Sequence, residues 1–199
     1  MTEEYTGRKF MTVFAEKKTA GKAAADALVA ASIRLANAGF LKGIPGNMSI
    51  RTKRGFAITA GGVNKEKLTP EDVVEILAYD PETETITAAG LKEPSSEARM
   101  HYIIYDRFPD VSAIVHVHDE LALENQSETE KLGAAYTDKE EPYGTLELAR
   151  QAVQALKKSQ YIVMKNHGSI STGRTIEEAI DRTLDIHKRL EALISNKNR

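Results

Sequence analysis

The chain has 199 residues, 41% of them hydrophobic and 28% charged, with a formal net charge of −2. That length suits one domain, residues 1–199, with a sizeable core, and the near balance of charge gives no electrostatic footprint for nucleic acid. No apolar run approaches the roughly 20 residues of a membrane span, the opening MTEEYTGRKF leads into no secretory segment, and the lack of cysteine excludes disulfides, thiolate metal sites and thiol nucleophiles. A cytoplasmic protein is expected, with no membrane partner.

In chain order, KTAGKAAADALVAASIRLANAGF is alanine-rich with apolar residues at helical spacing, and Gly39 follows as a C′ residue. Glycine turns then alternate with the β-type runs NMSIRT, GFAITA and VVEILAYD, and TPED reads as a capped helical turn with Thr69 as N-cap and Pro70 at N1. SEARMHYIIYDRF is expected to be a helix, SAIVHVH a strand, TLELARQAVQALKKS a helix capped by Thr145, and YIVMKNHG a strand. TIEEAIDRTLDIHKRLEALI closes the pattern as an amphipathic helix. The acidic stretch DELALENQSETEKLGAAYTDKEEP fits no regular element and reads as an exposed loop or short irregular helix.

Without cysteine, a transition-metal site would have to use histidine with carboxylate or water, and the chain has five histidines. In AIVHVH, His116 and His118 share one face of a strand, where they either chelate one ion or stand as two unliganded imidazoles at a strand end. His167, at the end of a second apolar run and followed by Gly168, supplies a third imidazole. Three histidines from two strand ends match a catalytic zinc site, which keeps three protein ligands and one open position. His101 falls on the apolar face of a helix and reads as a core histidine, and His187 lies on a charged helix and reads as a surface residue. In KEPSSEARMH, Ser95 and Ser96 either cap the following helix or, with its free N–H groups, hold an anion such as phosphate. Glu97 reads as a dipole partner, or as a general base if it faces a metal. GIPGNMS and ITAGG add glycine turns of the kind that point backbone amides at a ligand.

Taken in series, GNMSIR, ITAGG with KLTPEDVV, PSSE, PDVSAIVHVH and NHG resemble the class II aldolase/adducin family over about residues 23–193. The resemblance implies an α/β fold of three layers, α/β/α, with a central, mostly antiparallel sheet, in a homotetramer with sites at subunit interfaces. It implies that His116, His118 and His167 bind a divalent metal, zinc or else manganese or cobalt. It also assigns Glu97 as the acid/base and Gly46, Asn47, Gly62, Ser95 and Ser96 as the substrate's phosphate site. The activity implied is reversible cleavage of a ketose 1-phosphate to dihydroxyacetone phosphate and an aldehyde, with the metal as Lewis acid for the enediolate and Glu97 moving the carbon-bound proton. Glutamate at position 97 favours an aldolase over the 4-epimerases, which tend to carry aspartate there. Methylthioribulose-1-phosphate dehydratases share the metal site and glutamate, and an adducin-like interaction module would share only the fold.

The sequence departs from that pattern at Gly61 and directly after His118. Gly61 stands where relatives carry serine or threonine, so one hydroxyl toward phosphate is missing. Asp119 and Glu120 follow His118 where relatives continue apolar or small, and their charge opposes an anionic substrate unless it is turned away. Tyr136 and Tyr143 are the candidates for a tyrosine proton donor carried by some relatives. A smaller aldehyde than that of the family's deoxyhexose substrates is the resulting expectation.

Overall fold

Nine strands form one continuous sheet in the computed structural model, which describes residues 8–197. Residues 1–7, most of the opening stretch read above, lie outside the described residues. The elements run β1 (Met11–Glu16), α1 (Lys22–Asn37), β2 (Asn47–Thr52), β3 (Gly55–Thr59), β4 (Val73–Asp80), β5 (Thr85–Ala89), α2 (Ala98–Arg107) and β6 (Ala113–Val117). They continue with α3 (Glu120–Glu124), α4 (Gln126–Lys131), β7 (Ala135–Tyr136), α5 (Leu146–Leu156), β8 (Tyr161–Met164), β9 (Gly168–Gly173) and α6 (Ile176–Lys197). Across the sheet the order is β1-β5-β4-β3-β2-β6-β9-β8-β7. The pairs β1 with β5 and β7 with β8 are parallel, and the others are antiparallel.

The period of two in the strands divides the core between the two faces of this sheet. Ile114 on β6 and Ile58 on β3 join α2 and α5 in one cluster. Val115 and Val117 on β6 and Met48 on β2 join α1 and α6 in the other. The result is the three-layer α/β/α arrangement with a mostly antiparallel sheet that the family resemblance implies. Each fully buried leucine or isoleucine in these layers contributes about 1.5–3 kcal/mol relative to exposure. His116 falls in the same phase as Ile114, so the strand that builds the core also aims this imidazole at the α2 and α5 side.

Local chemistry sets the ends of the helices. On α1 the buried residues Ala25, Leu28, Ser32 and Leu35 lie at helical spacing. Gly39, at φ +85°, lets its own N–H reach Ala36 O (2.9 Å) and that of Phe40 reach Leu35 O (3.0 Å), which closes the helix as a Schellman turn. Thr145 caps α5 by accepting from the Leu148 N–H at 3.1 Å. At TPED the chain makes a single 3-10 turn, where the Asp72 carboxylate accepts from both the N–H (2.8 Å) and the hydroxyl (2.7 Å) of Thr69.

Three expectations need correction, and three strands add to those expected. The acidic stretch is two short helices, α3 and α4, and a two-residue strand, β7, because Ala122, Ala134 and their neighbours pack against Tyr161, Ile186 and Leu190. β1, β5 and β9 add to the expected strands: β5 lies between β1 and β4, β9 between β6 and β8, and β1 is an edge strand that pairs with β5 alone. His167 lies in the turn between β8 and β9 rather than on a strand. His187 is no plain surface residue. Its Nδ1 lies 3.0 Å from Oδ1 of buried Asp119, and its ring meets Phe40 edge-on at 4.8 Å. No helix among the described residues is long and apolar enough to cross a membrane.

Removing the α5 cap is expected to show in stability alone: Thr145→Ala should lose about 1 kcal/mol in urea unfolding, with the slope against denaturant unchanged.

Candidate active site

The register of β6 and β9 begins the site. His116 lies opposite Ile170, and its Nδ1 is 2.9 Å from the Ser169 carbonyl oxygen. A carbonyl can only accept, so Nδ1 carries the proton and Nε2 keeps its lone pair. Two residues on, His118 emerges at the end of the strand on the same side, accessible to solvent. The turn after β8 brings His167 alongside. One ligand atom from each of the three imidazoles falls within 4.8 Å of the others. His116 and His167 stack at 5.0 Å with 7° between planes, while His118 tilts against them at 5.1 and 5.4 Å.

Glycine at position 168 makes this convergence possible. A Cβ there would meet Val117 O at 2.6 Å, His116 Cε1 at 2.9 Å and His118 Cδ2 at 3.3 Å. Any side chain would therefore push the β8–β9 turn away from two of the imidazoles. Gly46, with φ +82°, plays the same part on the other flank, where a Cβ would lie 2.8 Å from the His116 carbonyl oxygen.

Glu97 faces the imidazoles from the N-cap of α2 and is 4% exposed. Its Oε1 is 2.8 Å from His167 Nε2, and its Oε2 is 3.2 Å from His116 Nε2 and accepts from Asn47 Nδ2 at 2.7 Å. Burial works to raise this carboxyl, yet the imidazoles of His116 and His167 and the hydrogen bonds from His167 and Asn47 outweigh it and hold Glu97 well below the usual range. His116 is pushed down to about 4, chiefly by burial, against the attraction of Glu97. A neutral His116 can only accept at Nε2, and an ionised Glu97 can only accept as well. Two acceptors 3.2 Å apart attract only with a proton or a cation between them. The donor set thus fits a divalent metal: three imidazoles, the tautomer of His116 fixed by a backbone carbonyl, and a carboxylate beside them.

The five residues named for phosphate are distributed along the same margin. Ala60 bridges Pro94, the Gly61 N–H donates to Glu93 O at 3.0 Å, and the Ser95 N–H donates to Thr59 O at 3.2 Å, so the Gly62 turn lies beside Ser95 and Ser96. Gly62 has φ +69° and open space where a Cβ would stand. Ser95 does not cap α2. Its hydroxyl accepts from the Glu97 N–H at 3.3 Å and its carbonyl from the Ala98 N–H at 3.0 Å, while Glu97 holds the N-cap position without a side-chain cap. Asn47 spends its amide N–H on Glu97 in this arrangement, and its Oδ1 is buried without a partner. At Gly61 a Cβ would stand 3.0 Å from Pro94 O, so a side chain there needs a small shift of that carbonyl.

The other candidates lie elsewhere. His101 is fully buried, with Nδ1 2.7 Å from the Ser49 hydroxyl, and burial takes it down to about 3, as suits a core histidine. Asp119 turns away from the triad, where it accepts from the Ala122 N–H (3.2 Å) and the Tyr161 hydroxyl (3.3 Å) and meets His187. Its charge is thereby spent in a separate network rather than against an anion. The Tyr136 hydroxyl donates to Ala122 O at 2.5 Å, and Tyr143 lies buried under the Lys9 ammonium, 5.2 Å from its ring centre. Sequence reasoning missed the Ser169 carbonyl, because β9 was not seen. The signal available was Asn166-His167-Gly168, a turn with Asn166 at φ +55°, followed by the alternating Ile170 and Thr172.

Residues 26–194 match the family described as Class II Aldolase and Adducin N-terminal domain. Among curated proteins, a 5-methylthioribulose-1-phosphate/5-deoxyribulose-1-phosphate aldolase of Rhodospirillum rubrum is 31% identical over 182 residues, covering 82% of this chain and 77% of its own. A 5-deoxy-D-ribulose 1-phosphate aldolase of Bacillus thuringiensis is 32% identical, covering 76% and 75%, and the L-fuculose phosphate aldolase of Escherichia coli is 30% identical, covering 74% and 72%. Among solved structures, the sugar-phosphate aldolase of Thermotoga maritima superposes with a TM-score of 0.77 at 20% identity, over 87% of this chain and 94% of that one. The L-fuculose-1-phosphate aldolase of Thermus thermophilus gives 0.69 at 24%, over 89% and 96%.

Gly168→Ala is expected to leave the protein folded and to weaken divalent-metal affinity by about ten- to a hundredfold, read by competition against a chromogenic chelator.

Proposed function

The chain belongs to the class II aldolase and adducin family and is an enzyme of its metal-dependent lyase kind, and from that premise we propose that it cleaves a 5-deoxypentulose 1-phosphate reversibly to dihydroxyacetone phosphate and a small aldehyde. The observation that carries the reading is Glu97, buried and ionised against His116 and His167, in a chain most of whose length aligns with aldolases of that substrate class. His116, His118 and His167 would hold the metal, zinc by preference because the donors are three imidazoles. When bound there, the cation supplies a Lewis acid for negative charge developing on the substrate's hydroxyketone oxygens.

The chain's own residues do the rest. In the direction of synthesis Glu97 takes a proton from the hydroxymethyl carbon of dihydroxyacetone phosphate, and in cleavage it returns that proton after the carbon–carbon bond has broken and the aldehyde has left. A carboxylate held low in pKa is a modest base in water, but burial removes competing solvent and fixes its distance from the carbon acid. Asn47 orients it through the 2.7 Å bond to Oε2. Gly46, Gly62, Ser95 and Ser96, with the positive end of the α2 dipole, would bind the phosphate and hold the reacting carbon against Glu97. No lysine Schiff base is required. The subunit is read as a single domain that assembles into a homotetramer with sites at subunit interfaces, in the cytoplasm.

A match to the methylthioribulose-1-phosphate dehydratase of Pseudoalteromonas translucida, 36% identical over 73 residues, supports a second reading as a dehydratase on the same scaffold. A coupled assay for dihydroxyacetone phosphate, with 5-deoxyribulose 1-phosphate and added divalent metal, separates the two. Release is expected, with Glu97→Gln lowering it about 10²–10⁴-fold while metal content is kept. Consumption of the substrate without dihydroxyacetone phosphate would replace the aldolase reading with the dehydratase or an epimerase.

A further inference from the structure

Lys65 lies in the short 3-10 turn between β3 and β4, and it is 2% exposed. Its ammonium donates to three backbone carbonyls: Ile44 at 3.2 Å, Ala60 at 3.2 Å and Val63 at 3.1 Å. Those acceptors belong to two separate glycine turns, 43–46 and 60–63, so one side chain ties together segments that the sheet does not pair. An ammonium has three N–H bonds and no acceptor, and all three are spent here. The backbone around it adds to the tie: the Lys65 N–H donates to Gly43 O at 2.7 Å, the Gly43 N–H donates to Glu66 Oε2 at 3.0 Å, and Ser32 on α1 donates to the Lys65 carbonyl.

This arrangement is costly for a lysine. Burial pulls Lys65 down to about 8, opposed by the more distant Asp72, whose own carboxylate is engaged by Lys92 at 2.5 Å and by Thr69. A charge buried against carbonyls alone is unfavourable compared with an apolar side chain of the same length. What the ammonium provides, and an apolar chain would not, is a fixed spacing between the two turns. Those turns carry Gly46 and Gly62, one pressed against the His116 carbonyl and the other facing open space.

We propose that Lys65 is a positioning residue for substrate phosphate, its ammonium setting the two glycine turns at the separation at which their backbone amides cradle the group. The inference rests on the phosphate assignment made under the proposed function. Lys65 touches neither the metal-binding imidazoles nor the substrate, so its influence should fall on one affinity and not the other.

The test is calorimetric titration of the zinc-loaded protein with glycerol 3-phosphate, with glycerol as blank, and zinc affinity measured on the same preparations. Lys65→Met, without donors, and Lys65→Gln, with two, are each expected to weaken glycerol 3-phosphate binding by about tenfold or more while zinc affinity stays within about twofold. Should Lys65→Met fail to fold, Lys65→Gln decides alone. Unchanged glycerol 3-phosphate binding in a folded variant overturns the clamp and leaves the phosphate site standing, and zinc and glycerol 3-phosphate affinities falling together overturn it in favour of general loosening. If the unsubstituted protein does not discriminate glycerol 3-phosphate from glycerol, the phosphate assignment fails first and the clamp with it.

Discussion

The contact between His116 Nδ1 and the Ser169 carbonyl is the constraint on which the rest depends, because it joins the register of the sheet to the chemistry of the site. β6 and β9 pair antiparallel with His116 opposite Ile170, and a slip of one residue would turn His116 to the α1 and α6 side and break that bond. Val115 and Val117 fix the register by filling the opposite face, so hydrophobic packing decides which way the imidazole points. The bond then decides which ring nitrogen is free. Fold, tautomer and ligand geometry follow from one pairing.

Charge is arranged with similar economy. Glu97 is the carboxylate that meets His116 and His167, and its ionised state is sustained by Asn47 and His167 rather than by water. Asp119, directly after His118, would add negative charge to a site for an anionic substrate. It is instead rotated into the protein, where Ala122, Tyr161 and His187 satisfy it. The helix α3 that begins there is a consequence, since the Asp119 side chain supplies its N-cap.

Much of this was legible in the sequence, and for physical reasons. The long helices announced themselves by apolar spacing and by caps such as Thr145 and Gly39. The histidine pair stood out because a period of two places both rings on one side of a strand. The family resemblance, carried by GNMSIR, PSSE, HVH and NHG, supplied Glu97 and the phosphate residues, which composition and spacing would not have assigned alone. β5 and β9 escaped because their residues are small or mixed and the strands on either side impose their conformation, whereas β1, MTVFAE, is an edge strand that pairs with β5 alone. Lys65, in VNKEKL, looks like any solvated lysine, since only tertiary structure brings three carbonyls around it. His187 was misread for the same reason: its partner Asp119 is 68 residues away.

The most direct test of the central claim, that three imidazoles and Glu97 form a metal-dependent proton-transfer site, is exchange of solvent deuterium into dihydroxyacetone phosphate, followed by NMR on protein of measured metal content. It requires no knowledge of the aldehyde. The result expected is about one divalent metal per chain, with exchange at the hydroxymethyl carbon that stops on chelation and returns when the metal is restored. Exchange that survives complete removal of the metal, or a fully loaded protein that exchanges no deuterium, would contradict it.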